Sequence, residues 1–454
     1  MEFKELAYKS ADEMIFGKSL HPVKCGFGIE IGNGAVYPEI NYTLPAIGMK
    51  NDNNKEILKQ YEDIVSDILS RAHILQTPGI VLEFEHPPQL TMNVEMGAQV
   101  TKLTLDLMEK FYCEKGLNSA LRVTVCDIRD QERPPKIRTE NYVKTLFDSF
   151  IKNAESGAHM LSIESIGGKE VTDIAIIEAD IPGLLFGIGI LSSKDMHFLW
   201  ENIVKIAKDK GSIPAGDTAC GIANTAMVLA DRGFIPVTLA AVIRAMTAPR
   251  SLIAYEEGAI GPSKDCAYEG PVIKAITGFP ISMEGKSSAC AHFSHMGNIA
   301  AATCDLWSNE SVQNVRLLSG FAPEVFTEIL IYDCRLMNAA LKEGHEVTLK
   351  NLFIKSDENL SPHAFIISPE ASYEIAKAII SEKDDFKRTH LAGLTACELL
   401  NTAIESGYLK VPEREKAWLG RIWKKLEEYD EKEKVIDAAM SRYKDKVCIE
   451  EYEL

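Results

Sequence analysis

The sequence predicts an α/β protein built around an eight-stranded parallel (β/α)8 barrel, which we place over residues 54–322. Strand-like apolar runs alternate five times with amphipathic helical runs between residues 55 and 221, which is typical of a parallel sheet. No glycine fingerprint for a dinucleotide opens the first unit, and this favours a barrel over an open doubly wound sheet. Residues 1–53 are predicted to form an N-terminal extension, and residues 323–454 a C-terminal helical extension.

The elements follow from the spacing of apolar residues along the chain. Predicted strands lie at 79–86, 121–127, 160–166, 184–191 and within 211–221. Candidates for the last three strands lie at 237–241, 252–255 and 315–319, although 237–241 could as easily be helical. Predicted helices lie at 54–76, 101–115, 139–156, from 169 to 180, and at 193–210. The helical extension is predicted from patterns at 324–341, 370–381, 389–406 and 413–442.

The N-terminal extension is rich in glycine between residues 26 and 34. Alternating polar and apolar residues flank the segment 31–35, which predicts a β-hairpin turning through Gly32 and Gly34. The same glycines could form a phosphate cradle, but no helix start follows them, and a lone glycine pattern is weak evidence. We therefore expect a hairpin.

Composition excludes several functional classes. The net charge of −17 argues against binding to nucleic acids or anionic membranes, because both require a basic surface. The longest uncharged apolar run, residues 181–191, is shorter than the roughly 20 residues of a membrane span. The N-terminus lacks the apolar core of a secretory signal. Ten cysteines without a CxxC pair fit a reducing compartment, so a cytoplasmic protein is expected.

Polar residues gather where the predicted strands end, and in a barrel these ends converge on one face. Two thiolates and one carboxylate from three strand ends could form a three-ligand zinc site with an open position, as catalytic zinc requires. The spacing leaves open that these are unrelated strand-end groups. The candidates are Glu83, Glu85, His86, Asp127, Glu164, Asp217, Cys220, Asp265, Cys266 and Glu269.

A second cluster contains two histidines, His292 and His295. Three residues apart, they would share one face of a helix and could bind a metal. The alternative, which we favour, is that they line a surface groove that could receive a cofactor. The other histidines are interpreted as structural, and the mixed charges of residues 414–445 as a solvated helix face.

Three segments carry a resemblance to a known family. They read IESIGG at 163–168, AGDTACG at 215–221 and GPSKDCAYEG at 261–270. With them, essentially the whole chain resembles the zinc-containing subunit of methanol:corrinoid methyltransferase. The resemblance implies a TIM barrel whose zinc is held by one glutamate and two cysteines, which map onto Glu164, Cys220 and Cys266.

The resemblance also implies a reaction, in which methanol gives its methyl group to the cob(I)amide of a separate corrinoid protein. Hydroxide is a poor leaving group, so zinc would act as a Lewis acid on the methanol oxygen. Three anionic ligands temper that acidity, and a proton donor is expected nearby, with Asp217, Asp265 and Glu83 as candidates. The family works as a homodimer that carries corrinoid subunits, and we expect the same here.

Two other functions remain open at this point. The chain could be a zinc barrel enzyme with another substrate, such as a methylamine or a thiol, or a hydrolase. It could instead be a non-catalytic scaffold for a corrinoid protein, with cysteines that are merely buried. Metal content and substrate preference separate these alternatives.

Overall fold

A ring of eight parallel strands forms the centre of the fold. The computed structural model describes residues 2–44, 54–139, 141–218, 220–265, 269–286 and 294–454, without the side chains of Cys220 and Asp265. An antiparallel pair precedes the ring. The strands are β1 Lys18–Cys25, β2 Ile29–Asn33, β3 Tyr37–Tyr42, β4 Ile80–Glu85, β5 Ser119–Cys126, β6 Met160–Glu164, β7 Ile213–Asp217, β8 Ser263–Asp265, β9 Ile281–Glu284 and β10 Leu306–Asn309.

The sheet runs in the order β7-β6-β5-β4-β3-β10-β9-β8, and each strand is hydrogen-bonded in parallel to its neighbours in this order. No ladder joins the two end strands within the described residues, but they meet closely. Ile260 N–H donates to the Pro214 carbonyl at 3.0 Å. Gly216 has a φ of +119°, and a Cβ there would lie 2.9 Å from Cβ of Ser263. The ring is therefore nearly closed, and the predicted barrel is confirmed.

The strand pair β1–β2 closes the end of the barrel where the parallel strands begin. Cys25, Ile29 and Ile31 pack with apolar residues that point into the barrel, including Val81 and Met160. The N-terminal segment thus contains a hairpin, but the hairpin predicted around a turn at 31–35 is wrong, because residues 29–33 pair with the strand before them. The chain reverses at residues 26–28, because Phe27 pairs with Ser119 and the flanking glycines adopt positive φ.

The first barrel strand also lies earlier than expected. Tyr37–Tyr42 pairs in parallel with both β4 and β10, so barrel structure begins within residues 1–53. This strand was hidden by its composition, because Pro38, Glu39 and Asn41 interrupt the apolar pattern. Glu39 and Asn41 are buried because their side chains belong to the polar interior of the barrel.

Helices surround the ring and form the C-terminal extension. Most follow the predicted patterns, and the extension is helical as expected. The helices are α1 Asn54–Ile74, α2 Pro88–Met92, α3 Val94–Lys115, α4 Asn141–Glu155, α5 Lys169–Glu178, α6 Ile181–Phe186, α7 Ser193–Lys210, α8 Cys220–Asp231, α9 Val237–Glu257, α10 Gly270–Thr277, α11 Ala322–Glu343, α12 Glu346–Asp357, α13 Pro362–Ile366, α14 Pro369–Ile380, α15 Asp385–Glu405, α16 Glu413–Glu428 and α17 Lys432–Tyr443.

The strand predicted at 184–191 is wrong, and none of the three candidates for the last strands is a strand, although 237–241 is helical, as its pattern also allowed. Residues 184–191 lie in helix α6 and in the π-helical turn Gly187–Ser192 that joins it to α7. Residues 237–241 and 252–255 both lie in α9, and residues 315–319 contain only an isolated bridge from Arg316 to Phe321. Both helical regions are buried on all sides, so no polar face marks their helical period. The true last strands, β8 to β10, have only three or four residues.

Helix α9 has the length and composition of a membrane span, with a mean hydropathy of 1.3 in its most apolar window. However, 94% of that window is buried inside the protein. The C-terminal extension provides part of the cover, since Gly393 of α15 approaches Met246 and Arg388 pairs with Glu256 at 2.9 Å. Helix α9 is therefore a core helix, and the extension packs against the barrel of its own chain.

Candidate active site

The interior of the barrel changes from apolar to charged along its axis. Above the apolar layer at the hairpin end, Arg122 of β5 is fully buried and bridges the barrel. Its Nε donates to Glu39 Oε1 at 2.7 Å, and its Nη1 donates to Ser162 Oγ at 2.9 Å. Ser282 donates to the other oxygen of Glu39. This layer forms a rigid polar floor beneath the mouth, where the strands end.

Glu83 lies in the barrel beside Lys264 and is fully buried. Lys264 Nζ is 2.9 Å from Glu83 Oε2, and Thr124 Oγ1 donates to Glu83 Oε1 at 2.7 Å. Burial alone would raise the pKa of Glu83, but Lys264 and Arg122 hold that pKa below its usual value. Glu83 is therefore a carboxylate at neutral pH and has no proton to give.

Glu85 points into the same barrel two residues later and has a different environment. It is half-buried and accepts a hydrogen bond from the side-chain amide of Asn41. Among the described residues, no cation lies within ion-pair distance of it. Burial, reinforced by the negative charge of Glu310, raises the pKa of Glu85 to about 8. This carboxyl group is therefore largely protonated at neutral pH.

Glu164 ends strand β6 at the mouth and is half-buried. In the part of the chain that the structure describes, no group donates a hydrogen bond to its carboxylate. Burial, with the charges of Glu310 and Asp217, raises the pKa of Glu164 to about 7. A half-buried carboxylate without a donor is typical of a group that binds a cation, since burying such a charge alone is costly.

The other two predicted metal ligands come from neighbouring strand ends. A Cβ at Gly221 would lie 3.7 Å from Glu164 Oε1, so the start of helix α8, at Cys220, adjoins Glu164. Cys266 follows the last residue of β8 and lies outside the described residues. Among the described side chains, no group of three potential ligands lies close enough to hold a metal ion. One glutamate oxygen and two thiolate sulfur atoms from adjacent strand ends are nevertheless a ligand set that suits a divalent zinc ion with an open position.

Asp217 ends β7 and is held on two sides. Arg250 Nη2 of helix α9 lies 2.9 Å from Asp217 Oδ2. Ser165 donates to the carboxylate twice, through its backbone N–H at 3.3 Å and its hydroxyl at 3.1 Å. Burial raises the pKa of Asp217, although Arg250 and Ser165 oppose this. The contacts mark Asp217 as a link between strand ends.

The remaining predicted strand-end groups have structural contacts. Asp127 accepts from Arg129 at 2.9 and 2.7 Å, and Arg129 also bridges to Asp195 at 2.8 Å. His86 is buried, and its Nδ1 lies 3.5 Å from the hydroxyl of Thr91. Burial lowers the pKa of His86 to about 3, so it stays neutral. The side chain of Asp265 is not among those that the structure describes.

Of the two histidines in the rival cluster, His292 lies outside the described residues, and His295 is exposed. His295 lines a cavity of about 340 Å³ between helix α8 and the C-terminal extension, with His363, Lys410 and Glu415 on its other walls. A groove thus exists at His295, and its use by a cofactor stays a prediction.

Two cations at this site were missed by sequence reasoning, Lys264 and Arg250. Both are 1% exposed. Arg250 interrupts an otherwise apolar helix, and such a charge needs a buried partner, which was the available signal. Lys264 stands in the segment next to Cys266 but carries no spacing that predicts its contact with Glu83.

The geometry agrees with the comparisons with known proteins. Residues 1–453 match the family of methanol–cobalamin methyltransferase B subunits, MtaB. The chain belongs to this family. The methanol–corrinoid protein co-methyltransferase of Methanosarcina barkeri (strain Fusaro / DSM 804) is 40% identical over 453 residues, which cover 98% of this chain and 97% of that protein.

A solved structure of the MtaB family shows the same fold. The crystal structure of the methanol:cobalamin methyltransferase complex MtaBC from Methanosarcina barkeri contains a chain with a TM-score of 0.95 and 38% identity. The match covers 100% of this chain and 99% of that one. The predicted family, the barrel and the assignment as a methyltransferase enzyme are therefore confirmed.

Proposed function

We propose that this MtaB-family enzyme transfers the methyl group of methanol to the reduced corrinoid of a partner protein. The observation that carries the proposal is the match over residues 1–453, together with the carboxylate of Glu164 at the mouth of the barrel, to which no described residue donates a hydrogen bond. The C-terminal ends of barrel strands are where such folds place their chemistry. A partner corrinoid protein is supported by the MtaBC complex of the relative.

Glu164, Cys220 and Cys266 would hold a zinc ion at this mouth. Bound there, zinc would supply Lewis acidity toward the oxygen of methanol. The chain itself surrounds the position with buried charge: Arg250 fixes Asp217 on one side, and Lys264 fixes Glu83 inside the barrel. These pairs hold the charged side chains around the mouth in fixed positions.

In the overall reaction the C–O bond of methanol breaks, and a carbon–cobalt bond forms on the partner's cob(I)amide, which provides the electron pair. One proton combines with the departing hydroxide to give water. We propose Glu85 as the source of this proton, because its carboxyl lacks a cationic partner among the described residues. The earlier candidates Glu83 and Asp217 are each paired with a cation. Asp265 stays a candidate from sequence alone.

The wider setting is proposed on the same basis. We expect a homodimer of this chain within a complex with the corrinoid protein. We also expect a cytoplasmic location, since ten cysteines without a CxxC pair fit a reducing compartment. Light scattering of the purified chain, alone and with the corrinoid protein, measures the stoichiometry. A monomer under both conditions would contradict the expected dimer.

The activity is tested by methanol-dependent methylation of free cob(I)alamin, followed by the absorption change at the corrinoid, with metal content measured on the same sample. We expect turnover with methanol and about one zinc per chain. Turnover only with a thiol or a methylamine would assign another substrate. Zinc far below one per chain, with no turnover of any substrate, would indicate a scaffold.

A further inference from the structure

Arg250 occupies a central position behind the candidate site. It lies in helix α9 and is 1% exposed. Its Nη2 lies 2.9 Å from Asp217 Oδ2 and also donates to the hydroxyl of Ser165. Its Nε donates to Ser192 Oγ at 2.8 Å, which anchors the guanidinium to the π-helical turn. One side chain thus contacts the ends of two barrel strands and a buried helix.

The groups around Arg250 stand next to the proposed metal ligands. Ser165 directly follows Glu164, and Asp217 precedes Cys220 by three residues. Glu269, which follows Cys266 by three residues, accepts a hydrogen bond from Ser251, the residue after Arg250 on helix α9. Arg250 thus contacts two of the segments that carry the proposed ligands directly, and its neighbour Ser251 contacts the third.

We propose that Arg250 is a positioning residue that holds the ends of β6 and β7 in the arrangement needed for metal binding. The inference rests on the proposed function, since it takes Glu164, Cys220 and Cys266 as the ligands. Residues that orient ligands without touching the metal commonly change its affinity by about 10- to 100-fold. The planar guanidinium is suited to this role because it presents several fixed donors at once.

A lysine at position 250 keeps the charge that Asp217 needs but cannot serve Ser165, Ser192 and Asp217 together. We therefore expect Arg250→Lys to fold. Arg250→Met leaves Asp217 buried without its cation, and Asp217→Asn in the same chain removes that charge. Comparing Arg250→Lys with Arg250→Met/Asp217→Asn thus distinguishes misplaced metal ligands from a loss of folding.

Arg244 provides a matched control on the same helix. It is also 1% exposed, and its Nε donates to His363 Nδ1 at 3.1 Å, away from the strand ends. Arg244→Lys therefore makes the same chemical change in an equally buried place. Thermal unfolding of all variants without metal shows how much stability each change removes.

The experiment measures zinc affinity by competition with a chromogenic chelator and records the charge-transfer absorption of the cobalt(II)-substituted protein. We expect about 10- to 100-fold weaker zinc binding and an altered cobalt spectrum for Arg250→Lys, with parental values for Arg244→Lys. Parental affinity and spectrum in Arg250→Lys, or equal losses in both lysine variants, would overturn the proposal. Failure of the proposed function appears separately, as a parent chain that binds no zinc or a Cys220→Ala variant that binds it fully.

Discussion

Lys264 and Glu83 form an ion pair inside the barrel, with Nζ and Oε2 2.9 Å apart and both side chains at most 2% exposed. A pair this buried gains its stability from geometry, since the cost of removing two charges from water is large. The carboxylate also accepts a hydrogen bond from Thr124 through its other oxygen. The pair joins strands β4 and β8 across the interior.

Breaking this pair is predicted to destabilise the fold strongly. Glu83→Gln leaves Lys264 buried without its partner, and we expect a loss of about 3–5 kcal/mol in the free energy of unfolding. Denaturant titration measures it. The exposed pair Lys102–Asp106 is the control, where Asp106→Asn is expected to cost about 0.5 kcal/mol or less. A loss below about 1 kcal/mol in Glu83→Gln contradicts the prediction.

Removal of any proposed ligand is predicted to remove zinc and activity together. We expect Glu164→Gln, Cys220→Ala and Cys266→Ala to weaken zinc binding by at least about 100-fold, more than changes outside the ligand shell do. Zinc content after dialysis against a chelator measures this. Cys113 is exposed on helix α3, and Cys113→Ala is expected to keep full zinc. Full zinc in the double variant Cys220→Ala/Cys266→Ala would rule out the assignment.

Glu85 is predicted to carry the proton of the reaction. Glu85→Gln is expected to lower the rate of methyl transfer by about 100- to 10,000-fold while zinc is retained. Because a donor must be protonated, the parent rate should fall as pH rises through the Glu85 pKa of about 8. Glu310→Gln removes a charge that raises this pKa, so the fall should move to lower pH.

The pH profile of cob(I)alamin methylation tests the role of Glu85. The exposed Glu62 of helix α1 serves as a control, and Glu62→Gln should leave the profile unchanged. An unchanged rate in Glu85→Gln would exclude it as the donor. A profile of Glu310→Gln that coincides with the parent would exclude the pKa of Glu85 as the cause of the alkaline fall.

His197 is predicted to make stability depend on pH. Its Nδ1 lies 2.6 Å from Glu257 and its Nε2 3.1 Å from Asp385, so it bridges helices α7, α9 and α15. The hydrogen bond to Asp385, with that to Glu257, raises the pKa of His197 to about 9. The unfolded value is about 6.5. The stabilisation is therefore complete below pH 6.5 and is lost as pH rises through about 9.

His197→Gln is expected to flatten the fall in unfolding free energy between pH 6.5 and 9. The effect should be about 1 kcal/mol, because the imidazole is 43% exposed and solvent screens its contacts. Urea titrations at several pH values measure it. The exposed His73 is the control, and His73→Gln should keep the parental slope. A slope in His197→Gln equal to that of the parent would refute the bridge.

Sequence patterns predict those elements of this fold that have clear polar boundaries or one polar face. Strands β4, β5 and β6 are apolar runs with clear ends, and the amphipathic helix α1 shows its period. Helices α6 and α9 are buried on all sides, so their apolar runs look like strands. Strands β8, β9 and β10 are too short to show a period at all.

The residues of the candidate site likewise differ in how far the sequence predicts them. Glu164 and Asp217 are visible because each ends a recognisable strand. Their partner Arg250 is separated from Asp217 by 33 positions and from Ser165 by 85, and only folding brings them together. The difference between Glu83 and Glu85 is likewise tertiary, since one meets Lys264 and the other does not form an ion pair with any described residue.

The barrel ring lacks a ladder between β7 and β8 within the described residues, and these two strands lead directly to Cys220 and Cys266. A metal held by both cysteines would join the ends of these two strands. Removing it should speed amide hydrogen exchange in Ile213–Asp217 and Ser263–Asp265 more than in Ser119–Cys126, which is laddered on both sides. Equal exchange in all three strands would contradict this.

A metal at this position would couple metal affinity to the stability of the barrel. Metal affinity would include the free energy of closing the ring between β7 and β8, so any change that loosens the ring would also release the metal. A chain without its metal would then hold β7 and β8 together less firmly, and its zinc content would report on the closure of the ring.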